Sequence, residues 1–265
     1  IAILKPGVTV TNGMRDAFHL SIWWDGFLSS HGNLKYNRGV GQSLWTPEVV
    51  APSIINDGNT VGWYLFDEAS TITKDVNSKV SAWASFLGGS NTLAQAVADK
   101  QPVLVADGVS FDGVDDFLQK AFTLAQPESI YIVFKQRTWY IYDAIYEGAL
   151  NYRGQLTQDI GGSPNLAAWV IGGSQIGGVP LTLNQFGQVN TIFKGANSSM
   201  QVNDLTTVTG TVGTGAMLGF TLGALADGSY SSDIVVKEVI IRKIDDTGAN
   251  KTDFHAYLKT KYGLL

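Results

Sequence analysis

Between residues 109 and 119 the chain reads VSFDGVDDFLQ, which sets three carboxylates, Asp112, Asp115 and Asp116, within five positions and between two stretches of strand-forming residues. Two kinds of chemistry use such a cluster. Hard cations such as calcium take all-oxygen donor sets, and a tight turn uses a carboxylate to accept backbone amides beside a glycine that tolerates positive φ. The order D-G-V-D-D lacks the alternating acids of D-x-[DN]-x-[DN]-G, so the spacing favours the turn. No resident cofactor or metal is expected, and calcium is the ion the cluster would take if it held one.

A second pair of acids, Asp143 and Glu147 in TWYIYDAIYE (138–147), falls on one face of a strand. Retaining glycoside hydrolysis asks for two such groups, a nucleophile and an acid facing one sugar bond. The opposite face of the same run carries Tyr140, Tyr142 and Tyr146 if the strand is unbroken, because side chains alternate with period two. Phenol rings with polar tips can hold the apolar face of a sugar while bonding its hydroxyls. Asn151, Tyr152 and Arg153 follow in a loop and would complete a glycan platform. The plainer alternative makes these tyrosines half-buried residues of a sheet.

Other chemistries find no support. His19, His31 and His255 have no i+4 partner and no carboxylate at ligand spacing. The paired glycines match neither G-x-G-x-x-G nor a phosphate-binding loop, and G-x-S-x-G is absent. With no cysteine there is no disulfide framework and no thiolate site. A net charge of -5 argues against nucleic acid and against an anionic membrane surface, both of which ask for a basic face. No run approaches the roughly 18 apolar residues of a membrane span.

The elements that would position these groups are short strands. At 265 residues the chain is long enough for one large core. Its charged fraction of 15% is well below the roughly 25% usual in soluble proteins, and thirty glycines with many Thr, Ser and Asn take the place of the charges. From Val61 onward, apolar runs such as VGWYLF, SIYIVFK, VNTIFK and DIVVKEVIIRK recur between Gly, Asn, Asp and Pro, the spacing of antiparallel strands. Only NKTDFHAYLKTKYG reads as helix, with Phe254, Tyr257, Leu258 and Tyr262 on one face, Asn250 as cap and Gly263 as stop. Residues 1–52 differ. They hold Trp23, Trp24, Phe27, Tyr36 and Trp45 with no sustained period, the composition of an arm that buries its rings elsewhere, on its own domain or on a neighbouring subunit.

The ordered set VGWYLFDEAS (61–70), VSAWASFLGGSNTLAQAVADKQPVL (80–104), VSFDGVDDFL (109–118), TLGALADG (221–228), IVVKEVIIRK (234–243) and YLKTKYGLL (257–265) resembles the laminin-G-like, concanavalin A-like jelly rolls, over about four fifths of the chain. The resemblance implies an all-β, two-sheet antiparallel jelly-roll sandwich (53–265) with a short C-terminal helix, preceded by an extended N-terminal arm (1–52). It implies that Phe111 points inward, that Asp112 and Gly113 make the turn, and that Phe117 and Leu118 re-enter the sheet. Glucanases of this general fold carry E-x-D-x-E on one strand; here Ile145 stands in the middle and the first acid is the shorter Asp143, a departure that speaks against catalysis. Modules of this kind occur in secreted bacterial proteins and in tailed-phage fibres and capsid decorations. The resulting expectation is a non-enzymatic attachment module on a virion surface or outside the cell, part of a homo-oligomer or larger particle. Its expected partners are assembly subunits and cell-surface glycans, with Trp23, Trp24, Phe27, Tyr36 and Trp45 anchoring. The alternative is a secreted carbohydrate-binding module or a glycan-cleaving enzyme of the same fold.

Overall fold

The computed structural model describes residues 49–264 apart from Tyr152, Ile171 and Gly172. The expected arm, with its anchoring aromatics, lies outside the described residues except for residues 49–52. So do the expectation for Tyr152 and those for His19 and His31.

Two antiparallel sheets face one another. The first contains β1 (Thr60–Leu65), β5 (Val103–Val105), β6 (Gly108–Asp112), β8 (Glu128–Gln136), β13 (Gly187–Phe193), β14 (Ser198–Val202), β15 (Val208–Gly210) and β17 (Asp233–Arg242), in the order β15-β14-β13-β8-β17-β6-β5, with β1 also on β17. The second contains β2 (Ile72–Lys74), β3 (Val80–Trp83), β4 (Leu93–Ala94), β7 (Leu118–Ala121), β9 (Ala144–Glu147), β10 (Gln155–Gln158), β11 (Asn165–Trp169), β12 (Ile176–Pro180) and β16 (Gly219–Leu222), in the order β12-β11-β10-β9-β16-β7-β4-β3-β2. Between them lies one apolar core in which Tyr64, Trp83, Phe111, Phe134, Tyr146 and Phe220 are fully buried. The two-sheet antiparallel sandwich read from the run spacing is therefore the fold. Among the described residues no helix is long and apolar enough to cross a membrane.

The central strand β17 pairs with β8 along its length, with β6 through Asp233 to Val236, and with β1 through Glu238 to Arg242. One edge of β17 thus serves two partners in turn. The change-over falls at a register shift between Val236 and Glu238. Val236 and Val239 both enter the core, so the extra residue leaves Lys237 and Glu238 together on the outer side, as a β-bulge does.

Helix α1 (Ala249–Tyr262) covers part of that outer face, with Phe254 against Tyr131 at 4.8 Å between ring centroids. Its predicted face holds: Phe254, Tyr257 and Leu258 are buried. Gly263 ends it in the left-handed region, φ 61°, and the amide of Leu264 bonds back to the Lys259 carbonyl at 3.0 Å. The expected cap at Asn250 is corrected. Gly248, at φ 56°, occupies the cap position without a side-chain bond, because the chain turns into the helix earlier than the sequence pattern implied.

Two buried charges fasten the pieces. The Glu238 carboxylate accepts from Trp63 Nε1 (2.7 Å) on β1 and from Lys261 Nζ (2.9 Å), Tyr262 Oη (2.7 Å) and Tyr257 Oη (3.4 Å) on α1. Arg242, also fully buried, donates to Asp246 (2.6 Å), Asp57 (2.9 Å), Thr60 Oγ1 (2.8 Å) and the Ile54 carbonyl (2.8 Å). Removing one partner of a buried ion pair leaves the other uncompensated, at about 3–5 kcal/mol. Arg242→Ala should therefore lower the unfolding free energy extrapolated from urea denaturation by that amount, moving the midpoint down without changing the slope. A loss within about 0.5 kcal/mol, the range of an ordinary surface substitution, would show that the pair stabilises nothing.

Candidate functional site

The run TWYIYDAIYE does not form one strand. β8 ends at Gln136, residues 137–143 make a loop, and β9 begins at Ala144. Tyr142 has φ 72°, a left-handed conformation that no strand accommodates and that is uncommon for a residue with a side chain. The expected stripe of Tyr140, Tyr142 and Tyr146 is thereby corrected. Tyr146 is fully buried between the sheets, against Phe220 and hydrogen-bonded to Thr191 Oγ1, and no sugar reaches it. Tyr140 and Tyr142 stand in the loop, 67% and 43% exposed.

The loop is held from beneath by two buried glutamines. Gln158 accepts the Tyr140 amide on its side chain (2.6 Å) and the Tyr142 amide on its carbonyl (3.0 Å), and its Nε2 donates to Gln136 Oε1 (3.0 Å) and the Thr138 carbonyl (2.8 Å). At the start of the loop Arg137 pairs with Asp233 at 2.5 Å. Trp139 Nε1 donates to the Asn165 carbonyl at 3.2 Å.

A third tyrosine joins from the connection between β16 and β17. Tyr230, 52% exposed and at φ 50°, packs edge to face with Tyr142, 6.4 Å between centroids and 83° between planes. Its carbonyl accepts the Ala144 amide at 2.7 Å. Two half-exposed tyrosines are thus displayed side by side, each from a backbone conformation that costs on the order of 1–3 kcal/mol and is kept only where the surroundings enforce it. The sequence reasoning missed Tyr230; the available signal was the turn-rich ADGSYSS around an aromatic residue. Asp143, the next residue after Tyr142, is half-buried, its carboxylate has no hydrogen bond among the described residues, and burial pushes its pKa up to about 6.

Arg153 is not part of this group. It lies in the turn at the far end of the β9–β10 hairpin, where its amide donates to Glu147 Oε1 at 3.2 Å and its guanidinium lies against Gly215. Asn151, in the same turn, donates to Asp227 at 2.9 Å. The strand separates both from Tyr142.

The acid pair also comes apart. Glu147 is fully buried, and its oxygens accept from the Arg153 amide, Gln155 Nε2 and the Ala226 amide (2.6 Å). That carboxylate fastens the hairpin turn to the loop above it and does not face a sugar bond together with Asp143.

At the first cluster, Asp112 Oδ1 accepts the amides of Val114 (2.8 Å) and Asp115 (3.4 Å), while Asp116 Oδ2 accepts the Asp112 amide (3.1 Å). Gly113 has φ 75°, and a Cβ there would stand 2.9 Å from that of Asp233. The turn is made as expected, with Phe111 and Leu118 buried on either side, but Phe117 stands half-buried just before β7 instead of in the sheet. Ligand oxygens of the three acids also lie within 4.8 Å of one another, and burial together with the Asp112 charge raises Asp116 to about 6. His255 pairs with Asp204 at 2.8 Å on α1's outer side, away from both clusters.

No protein-family model and no curated protein matches this chain. Solved structures do. A Trypanosoma rangeli sialidase superposes with TM-score 0.53 at 12% identity over 77% of this chain and 33% of its own; the chain thus spans about a third of that protein. A GH54 α-L-arabinofuranosidase soaked with 4-nitrophenyl α-L-arabinofuranoside gives 0.54 at 9% identity over 69% and 51%. Domain 4 of AbnA, a GH43 extracellular arabinanase from Geobacillus stearothermophilus in complex with arabinotriose, gives 0.50 at 14% identity over 74% and 98%. These likenesses carry the fold. They also correct the expectation of a non-enzymatic module, since the three solved sandwiches named above are glycosidases or parts of them.

Two outcomes follow from the carboxylates. Asp112→Ala should cost about 1 kcal/mol, the worth of a turn hydrogen bond, and added calcium should shift the melting temperatures of parent and variant alike; a calcium shift confined to the parent makes the cluster a cation site. Glu128, fully buried with neither oxygen bonded among the described residues, is pushed by burial from 4.5 up to about 8. The folded protein therefore keeps a proton that the unfolded chain loses. The stability this contributes is complete below about pH 4.5 and is lost as pH rises through about 8. Glu128→Gln should flatten that decline in melting temperature measured from pH 5 to 9; an unchanged slope would place the titration elsewhere.

Proposed function

We propose that this sandwich is a carbohydrate-engaging domain of a glycan-processing protein, and that sugars bind on the Tyr140, Tyr142 and Tyr230 surface at the end of the sandwich. The observation that carries the reading is the edge-to-face pair Tyr142–Tyr230, both rings half-exposed and both held at positive φ. Rings fixed in place lose little entropy when a ligand stacks on them, and their hydroxyls remain free to bond sugar hydroxyls. Asp143 supplies an acceptor with no competing partner among the described residues. The likeness to an arabinanase domain solved with arabinotriose, covered over nearly its whole length, supports the same reading. An ionised carboxylate beside the rings favours neutral sugars at this surface, since a second anion there would be repelled.

Tyr142→Ala and Tyr230→Ala should each abolish retention on the glycan that the parent binds in an array. Both residues lie at the surface and at strained positions, so the melting temperature should change little. Because Asp143 accepts hydrogen bonds best when ionised, affinity should rise as pH passes upward through about 6, and Asp143→Asn should remove that dependence. Glycan retention unaltered by both tyrosine changes would sink the assignment.

A further inference from the structure

We propose a second binding site, for a sugar residue bearing a carboxylate, in the cleft beside the C-terminal end of α1, with Lys237 as the group that recognises the carboxylate. The choice of sugar rests on the carbohydrate reading above, whereas the site, its residues and its charge are separate from the tyrosine surface.

The cleft has a volume of about 260 Å³ and is lined by Leu181, Thr182, Gln185, Phe186, Asn203 and Tyr262 together with the end of α1. Lys237 is not on its wall but stands against two of the rings that are, so the carboxylate of a sugar held there would have to reach past their edges. That is smaller than the roughly 300–1,000 Å³ of pockets for drug-sized ligands, and suits a single sugar unit. Two of the lining rings also lie against the Lys237 ammonium, Phe186 at 4.1 Å and Tyr262 at 5.3 Å from the ring centroids, with Phe66 on a third side at 5.9 Å. Lys135 shares the Phe186 ring at 4.8 Å, but its charge is taken up by Asp107 at 2.7 Å. Lys237 has no ion pair and no hydrogen-bond acceptor among the described residues; aromatic faces are its neighbours. An ammonium in that position has three donors to offer, and a carboxylate is a far better acceptor than a ring.

The electrostatics limit the anion. Burial, assisted by the nearby charge of Lys135, lowers the pKa of Lys237 from the ordinary lysine value, so an arriving anion restores lost stabilisation of its charge. Asp107 and Asp67 stand close enough to act on Lys237 through their fields. They oppose a multiply charged group such as phosphate, and one unpaired cation balances one negative charge. The remaining polar equipment suits a sugar. Thr182 and Gln185 are exposed and their side chains make no hydrogen bond among the described residues, while Asn203 uses its Oδ1 for the Gln188 amide (2.9 Å) and keeps its Nδ2 available.

The test uses the full chain, a short oligogalacturonate, and its carboxyl-reduced neutral counterpart, with affinities from calorimetry and amide shifts of Thr182 and Gln185 by nuclear magnetic resonance. The acidic form should bind about tenfold more tightly, the worth of one charge-assisted hydrogen bond, and the gap should narrow as salt is raised. Lys237→Gln should erase the preference, and Tyr142→Ala should leave it intact. Equal affinities, a preference that survives Lys237→Gln, or shifts confined to the Tyr142 and Tyr230 region would each overturn the proposal. Should Lys237→Gln fail to fold, the exposed Gln185→Ala and the shift map of the parent decide the same question. Binding of the neutral sugar alone, lost in Tyr142→Ala, would overturn this second site and keep the first; no binding of either sugar to the parent would overturn this site and leave the tyrosine surface to be judged by its own array experiment.

Discussion

The structure depends most on how β17 disposes of two opposite charges. Glu238 and Arg242 are four positions apart on the central strand, both fully buried and both on the side away from the core. A bare charge in such a place would be expensive, so each collects donors or acceptors from elements distant in sequence. Glu238 gathers Trp63 from β1 and three groups from α1, and Arg242 gathers Asp57 and the Ile54 carbonyl from the segment before β1. Strand, helix and leading segment are thereby fixed to one line of backbone. The apolar core explains why two sheets adhere; these charges explain why the outer layer has one arrangement.

That rigid frame makes strained loops tolerable at its end. The segments bearing Tyr142 and Tyr230 are pinned by backbone bonds to Gln158 and Ala144, residues belonging to strands already secured by the core. A left-handed tyrosine persists only where its surroundings cost more to change than the strain it stores. Glu147 shows the other use of a carboxylate in the same hairpin. Sealed under Ala226 and saturated with donors, it is cement, whereas Asp143, four residues earlier, keeps its lone pairs unengaged among the described residues.

How much of this the sequence disclosed depended on the range of the interaction. The strands of β8, β13 and β17 were legible because burial on a sheet writes an apolar run, and the turn at Asp112 was legible because Asp-Gly encodes its own backbone geometry. The helix was found from its period, but its cap was placed at Asn250 instead of Gly248, since end geometry follows from how the chain arrives. TWYIYDAIYE misled for a physical reason: its Thr, Trp, Tyr and Ile residues favour strand, and the break at Tyr142 is imposed by Gln158 from a neighbouring strand. Tyr230 had only the weak signal of a turn-rich surrounding, and Glu128 and Lys237 had no local signature. Their roles come from burial and from neighbours on other elements, such as Tyr142 for Tyr230 and Phe186 for Lys237, which spacing along the chain does not encode.

The bulge at Lys237 ties the outer layer to the proposed second site. In a regular strand, Lys237 and Glu238 would point to opposite faces, and one of them would enter the apolar core. The inserted residue turns both outward while Val236 and Val239 keep the core register. Glu238 then spends its charge on α1, and in doing so fixes Tyr262 through its hydroxyl. The ring so fixed is the one that faces Lys237 at 5.3 Å and lines the cleft. A carboxylate buried for architecture thus sets the wall of a cavity whose adjacent cation is left unpaired, so a single irregularity in one strand accounts for both the docking of the helix and the availability of the lysine.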